Sequence, residues 1–239
     1  MMLKIENLCK QYGRGETLHP VLSQVNLSVE EGDFLVILGQ SGCGKTTFLR
    51  ILGGFLSPDA GTVFLDGKPV KKPSCDMIMV FQSFDQLFPW FTLEKNILYA
   101  LKKSRGIKDS KEGREQACRY LEMTGLLEFK DQFPHTLSGG MKQRGALARA
   151  LALKPRLLLM DEPFSSLDYL TRKQARKSLK NLTQTNRSTV VLVTHDIEEA
   201  VELGTKIAIL DHKTHRISHW YDSPKDHVHL REELEEALR

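Results

Sequence analysis

The sequence reads Gly39-Gln40-Ser41-Gly42-Cys43-Gly44-Lys45-Thr46 between an apolar run at 34–38 and a helix-like run at 47–52. This segment matches the spacing G-x-x-x-x-G-K-[ST], in which glycines let backbone N–H groups turn inward around phosphates. The N-terminus of the following helix adds a positive dipole end. Lys45 supplies a mobile charge for the β- and γ-phosphates, and Thr46 offers a hydroxyl to Mg²⁺. We therefore expect this loop and the next residue, Thr47, to bind a nucleoside triphosphate, the alternative being a tight turn without a ligand.

Length and composition favour one α/β domain, with or without a smaller subdomain, because 239 residues can bury a full core. The net charge of +4 comes from basic residues spread along the chain, so nucleic acid binding is not indicated. No apolar stretch approaches the ~18 residues of a membrane span. Residues 1–6 also lack the apolar region of a secretory signal. We expect a soluble, cytoplasmic chain.

The cysteines and histidines show no pattern typical of a metal site or a disulfide framework. The four cysteines, which form no C-x-x-C pair and are predicted to be reduced thiols, are Cys9, Cys43, Cys75 and Cys118. Five of the eight histidines fall late in the chain, at His212, His215, His219, His227 and His229. We interpret them as solvated residues of an edge hairpin formed by 205–210 and 215–221, in preference to a metal site.

The hydrophobic pattern divides the chain into three parts. Up to about residue 35 it alternates as in strands, and 62–70 contains an Asp66-Gly67 hairpin turn, so we expect an antiparallel β-layer. From 92 to about 153 the pattern is helical, with helices at 94–105 and 141–153. Between them, Asp109 and Glu112 suggest a capping box that opens a helix to Leu127.

After Pro155 the alternation of strands and helices returns. Continuous apolar runs at 157–160 and 189–193 are typical of strands buried on both faces of a parallel sheet. Amphipathic helices are expected at 167–182, 196–203 and 230–238. The predicted fold is α/β with a mostly parallel sheet, an N-terminal antiparallel β-subdomain and an inserted helical subdomain. Its core comprises 1–84 and 155–239, and the helical insertion comprises 85–154.

Two adjacent carboxylates, Asp161 and Glu162, end one of the predicted buried strands. Alternation sends neighbouring strand residues in different directions, so the two can have separate tasks. Asp161 suits Mg²⁺ and Glu162 suits a water molecule, the nucleophile that hydrolysis of a phosphoanhydride needs. Without the phosphate loop, such a pair would equally be solvated or capping acids.

Ser138, Gly139 and Gly140 stand directly before a predicted helix. A hydroxyl and two glycines at a helix N-terminus make a second anion site, which we call the second half-site. Because the chain already has one anion site in its phosphate loop, two half-sites suggest two chains that share two nucleotides. Taken alone, these residues could also be a serine cap and a turn.

The ordered motifs resemble those of the nucleotide-binding subunit of an ATP-binding-cassette (ABC) transporter. They are GQSGCGKT at 39–46, Gln82 in VFQ, LSGGM at 137–141, Asp161-Glu162-Pro163 after LLLM, SSLD at 165–168 and VTHD at 193–196. The resemblance covers nearly the full length and implies a P-loop NTPase core that binds ATP and Mg²⁺. Met141 stands where the family more commonly has glutamine.

The resemblance also implies roles for single residues. Glu162 is expected to be the general base, Gln82 to contact Mg²⁺ and the attacking water, and His195 to contact the γ-phosphate. Tyr12 matches the aromatic residue that stacks on adenine, although a tyrosine on an edge strand is common without that role. Asp168 is expected at the dimer contact, and the second half-site at the nucleotide of the opposite subunit.

The segments LSGGMKQR and LFPWFTLEKNI are similar to those of importer subunits for nitrate, sulfonate, taurine and related small anions. This implies an ATP-dependent homodimer, or a heterodimer with a second ATP-binding subunit, at the inner face of the membrane. The partner would be an integral membrane permease, with an extracytoplasmic substrate-binding protein as an indirect partner. A soluble ABC ATPase, a P-loop kinase and a module that only binds nucleotide remain as alternatives.

An aromatic loop, residues 84–91, carries four aromatic residues and a proline directly after Gln82. It could fix the helical subdomain to the core. Alternatively, it could form a groove for a helix of the permease, because aromatic anchors are typical of such contacts.

Overall fold

The computed structural model describes residues 1–13, 18–83, 85–107, 111–165, 167–186, 188–222 and 229–238, without the side chains of 185 and 186. Four residues considered above lie outside these ranges, namely Phe84, Asp109, Ser166 and His227. The capping box at Asp109 therefore stays a prediction.

The described residues form strands and helices in the expected order. The strands are β1 (Leu3–Tyr12), β2 (His19–Val29), β3 (Phe34–Leu38), β4 (Ala60–Leu65), β5 (Lys68–Pro69), β6 (Met77–Val80), β7 (Leu157–Asp161), β8 (Thr189–Thr194), β9 (Lys206–Leu210) and β10 (Ile217–Asp222). The helices are α1 (Lys45–Leu52), α2 (Leu93–Arg105), α3 (Lys111–Met123), α4 (Gly139–Ala152), α5 (Tyr169–Asn186), α6 (Ile197–Leu203) and α7 (Leu230–Ala237). Within these residues, none of the helices has both the length and the hydropathy needed to cross a bilayer.

The described strands form two sheets, which confirms the predicted α/β class. One is antiparallel, in the order β2-β1-β4-β5, and the other has the order β10-β9-β3-β8-β7-β6. In the second sheet β9, β3, β8, β7 and β6 are parallel, and only the edge strand β10 is antiparallel to its neighbour. The sheet is thus mostly parallel, as expected from the continuous apolar runs.

The central strand β3 is buried on both faces. Phe34, Val36 and Leu38 join a hydrophobic cluster with α2 to α7, whereas Leu35 and Ile37 join a second cluster with α1 and the antiparallel sheet. Each such side chain contributes roughly 1.5–3 kcal/mol by leaving water. Because both faces are covered, every side chain of this strand can be apolar. The next residue, Gly39, is the first residue of the phosphate loop, so the strand holds the loop at its carboxyl end.

The predicted Asp66-Gly67 hairpin turn is confirmed between β4 and β5. Asp66 has φ 50° and Gly67 has φ 72°, the positive values that a two-residue hairpin turn of this type requires. The antiparallel sheet that this hairpin completes lies over α1 and one face of the large sheet.

Several helix boundaries differ from the sequence expectation. α5 runs from Tyr169 to Asn186 rather than over 167–182. α3 ends at Met123 rather than at Leu127, because Gly125 adopts φ 67° and the backbone N–H of Leu126 bonds back to Leu121 O at 2.7 Å. α4 begins at Gly139 rather than at 141. The glycines of the second half-site therefore lie inside the first helical turn.

The edge hairpin of β9 and β10 is confirmed, but not all of its histidines are solvated as expected. His219 is exposed, as is His229 at the start of α7, whereas His212 and His215 are half-buried. The carbonyl of His215 accepts a hydrogen bond from Ser23 N at 2.8 Å, which packs the hairpin turn against β2.

Candidate active site

The phosphate loop has a backbone that glycine alone fits at Gly44. Its φ is 106°, and a Cβ atom there would lie 2.7 Å from Cγ1 of Val21 and 2.8 Å from its carbonyl oxygen. Gly42 also has a positive φ of 83°, with open space around it. The loop can therefore turn tightly and still present its N–H groups to a ligand.

Lys45 lies inside the loop, where only 5% of it is exposed. Its Nζ donates hydrogen bonds to the carbonyls of Gly39 at 2.8 Å and Gln40 at 2.9 Å, and it lies 3.7 Å from Oε1 of Glu162. A cation that is removed from water and held by neutral carbonyls attracts an incoming anion strongly, because little solvent screens it. The geometry supports a phosphate at this position.

Thr46 and Asp161 meet at the carboxyl end of β7. The Thr46 hydroxyl donates to Oδ1 of Asp161 at 3.1 Å, and Asp161 is 3% exposed. Burial raises the pKa of the Asp161 carboxyl and the charge of Glu162 adds to this, against the Thr46 hydrogen bond and the charge of Lys45. A hydroxyl and a buried carboxylate beside a phosphate site are oxygen ligands of the kind Mg²⁺ takes together with phosphate oxygens, so these residues fit the ion.

Glu162 is the centre of a side-chain cluster. It has φ 43°, an uncommon backbone for glutamate that is typical of functional sites. Its Oε2 lies 3.3 Å from Nδ1 of His195 and accepts a hydrogen bond from Nε2 of Gln82 at 3.4 Å. Together with Lys45 at the start of α1, three side chains from different parts of the chain therefore converge on one carboxylate.

A cavity of about 380 Å³ brings half of the predicted nucleotide contacts together with Gln82 and Glu162. Its lining consists of Tyr12, Val21, Ser41, Gly42, Gly44, Lys45, Thr46, Thr47, Gln82 and Glu162. Asp161 and His195 adjoin it through their contacts with Thr46 and Glu162. Tyr12 is 46% exposed, with Nζ of Lys10 at 5.7 Å from its ring centroid, so one face of the ring is available at the cavity mouth.

Three residues of the phosphate loop do not line this cavity. Gly39 and Gln40 contribute their carbonyls to Lys45, and Cys43 is 1% exposed in the core below the loop, where burial raises the pKa of its thiol. The Gln40 side chain instead donates to the carbonyl of Leu238 at 2.6 Å. This contact between the loop and the end of α7 has no signal in the sequence.

The second half-site and Asp168 lie apart from the cavity lining. Ser138 caps α4 by accepting a hydrogen bond from Met141 N at 3.3 Å. A Cβ on Gly140 would lie 2.7 Å from Cδ2 of Leu167, so the start of α4 packs closely on the residue before Asp168. Asp168 accepts a hydrogen bond from Thr171 N at 3.0 Å, and bonds from Thr171 lower the pKa of its carboxyl.

Sequence reasoning missed a polar network behind His195. The hydroxyl of Thr194 accepts a hydrogen bond from Asp196 N at 3.0 Å, and NH1 of Arg172 lies 3.4 Å from Oδ2 of Asp196. Glu199 is 3% exposed, and burial, with a smaller effect of Asp196, raises the pKa of its carboxyl to about 7. The only sequence signal was the acidic start of α6, which predicted a helix and not a network.

The aromatic loop is fixed by two amide side chains. The Gln86 side chain bonds to the N–H and carbonyl of Phe81 at 2.9 and 2.7 Å, and Oδ1 of Asn96 accepts from Phe88 N at 2.7 Å. Leu87 is buried, whereas Trp90 is 67% exposed. The aromatic rings of the described part, together with Tyr99 of α2, form contacts with centroids 5.1–6.3 Å apart.

Comparisons with known proteins found similar chains. Residues 22–165 match the family model described as ABC transporter. Over 189 residues the chain is 42% identical to the nitrate import ATP-binding protein NrtD of Synechococcus elongatus, covering 79% of this chain and 69% of the relative. It is 41% identical over 225 residues to the taurine import ATP-binding protein TauB of Rhizobium johnstonii, covering 92% and 84% of the two chains.

The fold is similar to that of a solved dimeric ATP-binding cassette in a post-hydrolysis state bound to ADP and Pi. The TM-score is 0.82 at 35% identity, and the superposition covers 92% of this chain and 98% of the other. The matched family region, 22–165, contains the phosphate loop and both carboxylates at the end of β7.

Proposed function

The chain belongs to the ABC transporter family, and from this premise we propose that it is the ATPase subunit that dimerises on ATP and drives a separate membrane permease. The observation that carries the proposal is the convergence of Gln82, His195 and Lys45 on Glu162 beside the cavity. A carboxylate held next to a phosphate-binding loop is what hydrolysis of ATP requires, because phosphoryl transfer depends on positioning and on an oriented water.

Each residue of this cluster has a distinct task in the proposal. Lys45 and the loop N–H groups bind the β- and γ-phosphates. Glu162 accepts a proton from the attacking water, with Gln82 orienting that water and His195 contacting the γ-phosphate. Geometry supports this division, because the amide of Gln82 and the imidazole of His195 are both within 3.4 Å of the same Glu162 oxygen.

Mg²⁺ would be held by Thr46 and Asp161, with Gln82 nearby. When bound, the ion neutralises charge that develops on the phosphate oxygens. Tyr12 at the cavity mouth is the proposed adenine contact, since an aromatic face can hold a base with little selectivity.

The second half-site is the argument for a dimer. Ser138, Gly139 and Gly140 stand at the N-terminus of α4 and lie outside the cavity lining. A two-fold arrangement would bring this half-site onto the nucleotide held by the opposite chain, with Asp168 at the contact. The dimeric state of the similar cassette supports the same arrangement.

We place the chain at the inner face of the cell membrane, held there by the permease. The names of the relatives, which import nitrate and taurine, favour an importer of a small anion with an extracytoplasmic binding protein upstream. In this proposal the permease and the binding protein determine which substrate is transported. Residues 85–154 act as the helical signature subdomain between the ATP site and the permease.

Labelled ATP tests the reaction. With γ-labelled MgATP, the purified chain should release label as inorganic phosphate, so that water is the acceptor. Label that appears on a small acceptor instead would identify a P-loop kinase. If MgATP binds but no phosphate is released, either with or without the permease, the chain is a module that only binds nucleotide.

A further inference from the structure

Arg172 links two loops that precede helices α5 and α6. It lies in the first turn of α5, where its NH2 donates to the carbonyl of Leu167 at 3.0 Å. Its NH1 lies 3.4 Å from Oδ2 of Asp196, which caps α6. The two bonds use the two ends of one planar guanidinium, a geometry that lysine cannot reproduce.

The Leu167 end of this link contacts the second half-site. Leu167 is 5% exposed, and its Cδ2 is the atom that would lie 2.7 Å from a Cβ on Gly140. Since the Leu167 side chain is buried against Gly140, a shift at the start of α4 acts on the residue whose carbonyl Arg172 binds.

The Asp196 end adjoins the catalytic pair. Asp196 follows His195 directly, its Oδ1 accepts from Glu198 N at 2.8 Å and its own N–H donates to Thr194 Oγ1 at 3.0 Å. The position of Asp196 therefore fixes the backbone of His195, whose Nδ1 lies 3.3 Å from Glu162 Oε2.

We propose that Arg172 is a positioning residue that couples the second half-site to the His195–Glu162 pair of the same chain. This rests on the proposed function, in which the second half-site contacts the partner's nucleotide, whereas His195 and Glu162 act on the chain's own. Arg172 then makes the catalytic pair at one ATP site depend on the nucleotide at the other.

The kinetic test uses Arg172→Gln and Arg172→Lys, with Lys173→Gln as the matched control, because Lys173 is an exposed neighbour on the same helix. Both Arg172 variants should lower kcat about 10- to 100-fold, the usual effect of slight misplacement of catalytic groups. The affinity of the nucleotide-free chain for MgATP should change less than about twofold, since Arg172 does not contact the cavity. Lys173→Gln should retain wild-type values.

Asp196→Asn separates the ion pair from the cap. Asparagine caps helices as well as aspartate does, so α6 should keep its N-terminus while the charge that faces Arg172 is lost. We expect kcat to fall by about threefold to tenfold. This variant also decides the question if Arg172→Gln does not fold.

Hydrogen exchange supplies a readout that needs no catalysis. In the nucleotide-free chain, Arg172→Gln should speed exchange in two peptides, one around Leu167 and one around His195, and Lys173→Gln should not. A kcat within threefold of wild type, or unchanged exchange in both peptides, would overturn the proposal. If the wild-type chain releases no phosphate, the proposed function fails, and the exchange result alone then decides whether Arg172 holds the two loops together.

Discussion

Nδ1 of His195 lies 3.3 Å from Oε2 of Glu162, although the two residues belong to different strand ends. Glu162 follows β7 and His195 follows β8, and these strands are parallel neighbours in the sheet. Gln82, which follows β6 on the other side of β7, reaches the same carboxylate oxygen at 3.4 Å. The strand order thus assembles the proposed catalytic cluster, because the carboxyl ends of adjacent parallel strands meet at one edge.

Glu162→Gln should abolish turnover and leave MgATP binding intact. The amide keeps the shape of the side chain but cannot accept a proton from water, and loss of a general base commonly costs ~10²–10⁴ in rate. Phosphate release and calorimetry with MgATP measure the two quantities. A variant that keeps more than about a tenth of the wild-type rate would remove Glu162 from this role.

Lys45→Ala should weaken nucleotide binding itself. The side chain is 5% exposed and holds the positive charge nearest to the predicted phosphates. Its loss therefore leaves the negative charge of the phosphates without its nearest cation. We expect at least about a tenfold rise in the Kd for MgATP by calorimetry. Lys4→Ala is the control, because Lys4 is an exposed lysine on β1 that pairs with Glu6. Equal affinities for the two variants would contradict the assignment of the phosphate loop.

If two chains share each nucleotide, binding of MgATP should double the molecular mass measured in solution. In the Glu162→Gln background the chain should be a monomer without nucleotide and a dimer with MgATP, because the triphosphate bridges Lys45 of one chain and Ser138 of the other. ADP should not suffice, since it lacks the γ-phosphate. Light scattering at micromolar concentration measures this, and addition of Ser138→Glu, which places a negative charge against the phosphates, should restore the monomer. A dimer that forms equally with ADP or with the Ser138→Glu variant would speak against shared nucleotides.

The sequence predicted the residues around the cavity better than the contacts that support them. The phosphate loop follows one buried strand, and the carboxylates at 161 and 162 lie at the end of another. Both signals are local, so these elements and their side chains could be placed from the pattern alone. The order of β3, β8, β7 and β6 is not local. No strand order was predicted, because periodicity shows where strands lie along the chain and not which strands are neighbours.

The supporting contacts depend on packing between distant residues. Gln40 donates to the carbonyl of Leu238, and Arg172 binds the carbonyl of Leu167. Such bonds to backbone carbonyls leave no trace in residue type or spacing. The early end of α3 is a different case, because Gly125 was visible in the sequence and its positive φ is the reason that the helix stops.

Trp90→Ala should release the permease without unfolding the chain. The ring is 67% exposed at the edge of a cluster in which Phe88 and Phe91 are only half-buried. Its truncation removes apolar contact area for a partner, so the melting temperature should fall by less than about 3 °C. Co-purification with the permease is the readout. The control is Trp220→Ala on the edge strand β10, an exposed tryptophan of the same size.

Two results would contradict the docking role of the aromatic loop. If Trp90→Ala unfolds the chain, the aromatic loop fixes the helical subdomain to the core instead of binding the permease. If the permease is retained by Trp90→Ala as well as by Trp220→Ala, the contact lies elsewhere. Phe88→Ala is the less suitable variant, because the Phe88 ring packs against Tyr99 at 5.1 Å and against the guanidinium of Arg149 at 5.4 Å.

Glu199 should make the free energy of unfolding depend on pH. Burial raises the pKa of its carboxyl from 4.5 to about 7, although Arg176 and Arg172 lie near enough to oppose the shift. The folded chain therefore keeps this proton at a pH where the unfolded chain has released it. The resulting stabilisation is fully present below about pH 4.5 and is lost as the pH rises through about 7.

Glu199→Gln removes this titration and keeps the shape of the side chain. By linkage, titration of Glu199 should lower the free energy of unfolding of the wild-type chain by on the order of 3 kcal/mol between pH 4.5 and 8. The Glu199→Gln chain should not show this loss. Urea unfolding at several pH values measures the difference, with the exposed Glu235→Gln as the control. At pH 8 the Glu199→Gln chain should be the more stable, because no buried carboxylate has to be charged there. Parallel pH profiles for wild type and Glu199→Gln would show that the pKa of Glu199 is the same in the folded and unfolded chains, which would contradict this prediction.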